Sequence, residues 1–272
     1  MTTTEQKVSM CIVQYPCILA HLQKEVSLLY NTINIPSDID FKSYPLKIIS
    51  KIVQILNTLW NVICKDEDFF VANIIIRSLA DQISSLLLIY NINNGEISLL
   101  RHYLFILDGI HNRLSNIIVP RKDASITEEE YSKLIKQQRD FKTNLIGAKT
   151  YIIQKISLLN IYSTHKQTIE ALERNKKGEE RYNWKFIKFD VPVTQIYDKN
   201  NTYTWESMYS LLNMPGQEKF FSSFQSDYVH GLSMSNIEIE PNFQSMGTLT
   251  YITVKLMESL ERFIHNFYKD NI

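Results

Sequence analysis

Residues 68–90, DFFVANIIIRSLADQISSLLLIY, place apolar side chains on nearly every face of a helix: Phe70, Val71, Ile74, Ile75, Ile76, Leu79, Ile83, Leu86, Leu87 and Ile89. A helix apolar all round is stable in water only when other elements enclose it. The rest of the chain must therefore supply the enclosure. Arg77, Asp81 and Gln82 interrupt the run and argue against a membrane span. Arg77 and Asp81 stand at i and i+4, the spacing at which helical side chains meet. Removing either charge from water without its partner costs several kcal/mol. The pair reads either as an internal ion pair fixing helix register or as a charge held beside a site. Asp81 alone cannot occupy the donors of a guanidinium, so Arg77 must find further acceptors.

The enclosing elements read as helices. From about Pro16, after a start expected to fray over 1–14, Ile18, Leu19, Leu22, Val26, Leu29 and Ile33 recur at helical intervals, and Pro36 ends the segment. A second helix begins near Pro45 and carries Ile48, Ile49, Ile52, Ile55, Leu56, Leu59 and Ile63, with an acidic stop at 65–68. After an Asn93-Asn94-Gly95 turn, a helix over 96–119 bears Arg101, His102, Asp108, His111 and Arg113; Asp108 and His111, at i and i+3, could pair, but with no metal set beside them they read as solvated or rim positions. Thr127 with Glu130 forms a capping box. It opens a helix running to 162, with a kink expected near Gly147 and a diffuse basic flank of Lys133, Lys136, Arg139, Lys142, Lys149 and Lys155. The composition breaks over 173–203, where a short hairpin or extended flap is expected around 184–196. Thr204 caps a short helix over 205–213, and 245–268 forms the last, with Leu249, Ile252, Leu256, Leu260, Ile264 and Phe267 on one face. With only 7 Gly and 7 Pro, long helices and few tight turns are expected. The expected fold is all-α: a single bundle-like domain of about seven or eight helices with a small β flap near 184–196. An N-terminal pair over 1–64 precedes a core over 65–270.

One stretch nominates a site. In 220–233, FFSSFQSDYVHGLS, residues Phe220, Phe221, Phe224 and Tyr228 fall on one side of a docked helix. Ser226, Asp227 and His230 share that helix, close enough for Asp227 or Ser226 to touch the imidazole. Gly231 ends it, and a histidine in the last turn suits the dipole. His230 reads as a core or capping histidine, or as a general acid or base. Counting unsatisfied polar groups leads to the expectation that Arg77 and His230 lie together, with Ser226 and carbonyls near Gly231 supplying what Arg77 lacks.

Composition bounds the partners. Lys+Arg and Asp+Glu balance at 29 each, so tight non-specific binding to double-stranded DNA is not expected. The 3 cysteines, Cys11, Cys17 and Cys64, lack metal or redox spacing and fit a reducing cytoplasm. The start, MTTTEQKVSM, lacks the pattern of a secretory signal, and a cytoplasmic protein with no membrane association is expected. No Gly-rich phosphate loop, HExxH pair or GxSxG elbow is present, so no cofactor and no metal are expected.

The layout resembles a group of bacterial all-helical, distantly HEPN-like families found around mobile and defence-related genes. The marks are an Arg-x-x-x-acid pair in a very apolar early helix (Arg77, Asp81), a Trp-containing middle (Asn183-Trp184, Trp205) and a late Ser-x-x-Val-His-Gly (Ser226 to Gly231). The resemblance covers roughly residues 65–270. Aspartate stands at 81 where glutamate is commoner, and the nuclease Arg-x4–6-His motif is absent. The resemblance implies an intracellular defence or toxin-type effector that binds or cleaves RNA, without metal, at His230, Arg77, Asp81, Ser226 and Asp227. The other reading is a non-catalytic helical module whose partner is a protein, a homodimer included.

Overall fold

The computed structural model describes residues 3–33, 39–90, 95–118, 121–123, 125–230 and 243–271, with the side chains of 3–8, 230 and 243–245 outside that description. In chain order the helices are α1 (Thr3–Thr32), α2 (Ser43–Asn61), α3 (Phe69–Tyr90), α4 (Gly95–Ser115), α5 (Glu128–Ser157), α6 (Asn160–Leu172), α7 (Val193–Ile196), α8 (Trp205–Tyr209), α9 (Gln225–His230) and α10 (Phe243–Phe267). Two π turns, Val62–Asp66 and Phe220–Phe224, and two short 3-10 turns join them, with no strand among the described residues. The protein is all-α, as its patterning requires. The described helices number ten rather than seven or eight, because α6 separates from α5 and α7 forms in the segment expected to be a flap.

The chain forms two compact units, one of residues 1–91 and 203–272 and the other of 92–202. In the first, α3 is central and packs against α2, α8, α9 and α10, while α1 packs against α2 and α10. Ile76, Leu79, Ile83 and Leu86 of α3 are fully buried or nearly so. Each stabilises the unit by about 1.5–3 kcal/mol relative to exposure. On α10, Leu249, Ile252, Leu256, Leu260 and Ile264 are buried as the periodicity predicts. The acidic stop works as a cap: Glu67 turns the chain at φ 48 and the Asp68 carboxylate accepts from the Val71 N–H at 2.9 Å. Residues 3–14 are helical rather than frayed, and Pro16 lies inside α1. Tertiary contacts account for this. Cys11 and Tyr15 are buried, the Tyr15 hydroxyl donates to the Leu56 carbonyl at 2.8 Å, and its ring stacks on Trp60 at 4.7 Å.

In the second unit α5 packs on α4 and α6. The capping box forms: the Glu130 N–H donates to Thr127 Oγ1 at 3.3 Å and the Thr127 N–H to Glu130 Oε2 at 3.0 Å. α5 runs through Gly147 without a break, and the interruption falls at Leu158 and Leu159 instead. Around 184–196 no hairpin forms. Tyr182, Trp184 and Phe186 alternate inward as an extended chain would, but the ladder amounts to isolated bridges, Arg174 with Glu180 and Phe186 with Thr202. The Asn201 side chain accepts from the Lys188 N–H and donates to the Lys188 carbonyl, standing in for a partner strand. Arg101 and His102 are buried: Arg101 lies over the Phe186 ring at 4.4 Å and donates to the Phe186 carbonyl at 2.7 Å. Asp108 and His111 occupy the half-exposed rim expected of them.

Candidate functional site

Arg77 leaves α3 towards α8 and the π turn over 220–224. Thr204 accepts from the Ser207 N–H at 3.2 Å, the cap read from the sequence, and so starts α8 with Tyr209 facing α3. Asn213 at φ 56 and Gly216 at φ 84 then turn the chain back. Gly216 takes this left-handed conformation without the penalty a Cβ would add. The returning chain enters the π turn, whose wider winding leaves the Phe221 carbonyl able to accept from Arg77 Nη1. Arg77 Nε lies 3.3 Å from Asp81 Oδ1, and the guanidinium sits over the Tyr209 ring at 4.8 Å. The Tyr209 hydroxyl donates to Asp81 Oδ1 at 2.5 Å. Burial, reinforced by the Asp81 carboxylate, pushes the Tyr209 phenol well above its usual range, against the opposing pull of Arg77. Tyr209 is therefore a neutral donor at physiological pH.

The expected i, i+4 pair thus forms, but its further partners are Tyr209 and a backbone carbonyl rather than Ser226. Tyr209 was not nominated from sequence; the cap at Thr204 and the aromatic pair Trp205 and Tyr209, stacked at 6.2 Å, were its signal. The π turn also rotates the aromatic face. Phe221 and Tyr228 are buried as expected, whereas Phe220 is half-buried and Phe224 is exposed. Gln225 takes the inward position between them, with Nε2 3.4 Å from Asn73 Oδ1. Ser226 and Asp227 are half-buried.

The backbone of His230 ends α9, but its side chain and Gly231 lie outside the described residues. So does the expected meeting of His230 with Arg77. The packing register bears on the backbone alone. Arg77 meets Phe221, Asn73 meets Gln225, and the rings of Phe69 and Phe70 both lie 5.8 Å from Tyr228, an antiparallel sequence of contacts. Residue 230 follows the Arg77 contact by nine positions, a helical rise of roughly 13 Å. The register carries it towards the N-terminal end of α3.

Two further charged clusters escaped the sequence reading. Between α1 and α10, the nearly buried Glu25 has Oε1 2.5 Å from His265 Nε2 and 3.9 Å from His21 Nε2, and His21 Nδ1 lies 3.0 Å from Glu261 Oε1. Its signal was a pair of i, i+4 His and Glu residues on each helix, meaningful only once the two helices pack. In the second unit, Lys149 Nζ holds Glu180 Oε2 at 2.6 Å, and His111 Nδ1 lies 3.4 Å from the same oxygen. Burial pushes the Asp108 carboxyl up, and burial with the neighbouring Glu170 and Glu180 charges pushes Glu173 up to about 7. Among the described residues no three His, Cys, Asp or Glu side chains are set to hold a metal ion.

The raised Glu173 value carries a stability consequence. An acid with a higher folded than unfolded value binds its proton more tightly in the folded state, so stability declines as pH rises. The decline falls between the ordinary value of 4.5 and about 7. Glu173→Gln is expected to flatten this window: the urea midpoint of the wild type should fall from pH 4.5 to pH 7 by more than that of the variant. Parallel profiles would refute the assignment.

An open cleft of about 500 Å³ lies beside α8, lined in part by Glu206, Ser210, Glu218 and Lys219, and Arg77, Asp81, Ser226 and Asp227 are not among its lining residues. No family model, curated protein or solved structure matches the chain.

Proposed function

We propose that the protein is a non-catalytic helical interaction module, in which Arg77, Asp81 and Tyr209 tie α8 and the π turn to α3. The observation that carries this reading is how Arg77 is used. Its Nε faces Asp81, its Nη1 serves a backbone carbonyl, its face covers Tyr209, and its side chain is only 12% exposed. A guanidinium so engaged is poorly placed to steady the developing charge of a phosphate, which calls for donors aimed at an open substrate position. The half-buried ion pair instead serves register.

A second reading keeps the intracellular bacterial effector that binds or cleaves RNA. It has the π turn in its favour. Such irregularities are frequent at functional sites, and this one leads directly into the helix of Ser226, Asp227 and His230. Here His230 is the general acid or base.

Purified protein is expected to leave labelled single-stranded RNA intact, and induced expression of wild type and His230→Ala is expected to give equal growth. RNA cleavage, or toxicity, that disappears in a folded His230→Ala protein overturns the module reading in favour of the effector.

A further inference from the structure

Between residues 220 and 228 the chain chooses a buried amide over a buried ring. A straight α-helix would put Phe221, Phe224 and Tyr228 at i, i+3 and i+7 on one face, with Gln225 on its flank. The structure does otherwise. Phe224 is 38% exposed, whereas Gln225 is fully buried, its Nε2 3.4 Å from Asn73 Oδ1. Among the described residues Gln225 Oε1 meets no donor. A buried acceptor left in that way bears its full desolvation penalty, and an aromatic ring left in water gives up its burial. Two local preferences are overruled at adjacent positions.

The backbone shows what overrules them. In the π turn the Gln225 N–H donates to the Phe220 carbonyl. Regular α winding would give it the Phe221 carbonyl instead, four residues back. That carbonyl is held by Arg77 Nη1. The guanidinium and the Gln225 N–H therefore compete for one acceptor. An ionised donor makes the stronger hydrogen bond, and Arg77 prevails.

We propose that residues 220–228 form a two-register switch governed by Arg77. While the guanidinium holds the Phe221 carbonyl, the segment is π-wound with Gln225 inward. When Arg77 lets go, the segment winds as a plain α-helix, Phe224 turns onto α3 and Gln225 moves to the flank, within reach of water. The second register satisfies the ring and the amide, and the first satisfies the guanidinium. Two states that differ in their contacts are what a switch requires, and a group that favours one of them shifts the balance. Arg77 also faces Asp81 and covers Tyr209, so the register of α9 answers to the pairing on α8 and α3. The switch stands whether or not the protein acts on RNA.

Two measurements on the full chain test it. In hydroxyl-radical footprinting read by mass spectrometry, wild type is expected to oxidise at Phe224 and to be protected at Phe221. In Arg77→Met, oxidation at Phe224 is expected to fall by about threefold or more as the ring enters the core. Urea midpoints read the coupling. Phe224→Ser should barely move the midpoint of the wild type but should lower that of Arg77→Met markedly. Arg77→Lys, which keeps a cation beside Asp81, gives the same comparison if the methionine variant does not fold. Oxidation at Phe224 that is unchanged or greater once Arg77 is replaced overturns the proposal. So do midpoint shifts for Phe224→Ser and the Arg77 variant that simply add.

Discussion

Arg77→Ala is expected to lower the stability of the first unit by about 3 kcal/mol, read as a fall in the urea midpoint. Three losses combine. The Phe221 carbonyl loses a charged donor, Asp81 keeps its Tyr209 bond but loses its cation, and the Tyr209 ring loses the guanidinium above it. Arg77→Lys should recover less than half of the loss, because an ammonium on a flexible stem cannot fork to two acceptors while lying flat on a ring. Asp81→Ala should cost less, about 1 kcal/mol, since the Asp81 side chain is 33% exposed and solvent screens it. The double variant should cost less than the two singles added, the mark of residues that share one interaction. A midpoint for Arg77→Ala indistinguishable from wild type would remove the structural role assigned to the cluster.

Phe221→Ala should cost more than any other truncation along the 220–224 turn, about 3–5 kcal/mol. Its ring is fully buried, 5.3 Å from Tyr209, and its backbone carbonyl anchors Arg77. Phe224→Ala should cost under about 1 kcal/mol, because that ring is exposed. An α-helix running straight through the segment would make Phe220, Phe221, Phe224 and Tyr228 comparable anchors. The π turn separates them. Equal losses at Phe221 and Phe224 would contradict the register.

Much of the architecture was legible because it rests on short-range rules. A 3.6-residue apolar period set the core faces of α2 and α10, and Thr127 with Glu130 set the start of α5. These are consequences of helix geometry that no distant residue has to supply. The ion pair of Arg77 and Asp81 was equally local, one helical turn apart. Where the reading departed from the structure, a tertiary contact outweighed a local signal. Pro16 marked a helix start, yet Tyr15 reaches the Leu56 carbonyl and Trp60, and α1 continues through the proline. Gly147 marked a kink, yet α5 passes it unbroken. The alternation of Tyr182, Trp184 and Phe186 correctly announced an extended chain facing inward, but could not announce that no strand would come to pair with it.

The candidate site divides in the same way. The sequence by itself determined that Arg77 would be buried or half-buried, would have Asp81 as its near partner and would need other acceptors, because a helix so apolar cannot face water and a guanidinium has donors to spare. Only the tertiary structure decided which acceptors those are. Tyr209 and the Phe221 carbonyl lie 128 positions from Asp81 and 144 from Arg77, respectively. What brings them there is a left-handed turn at Asn213 and Gly216 followed by a π turn. The Met214-Pro215-Gly216 sequence announces the first of these, but the π turn leaves no periodic trace, since it is a choice of backbone conformation that pays only when the two distant segments meet.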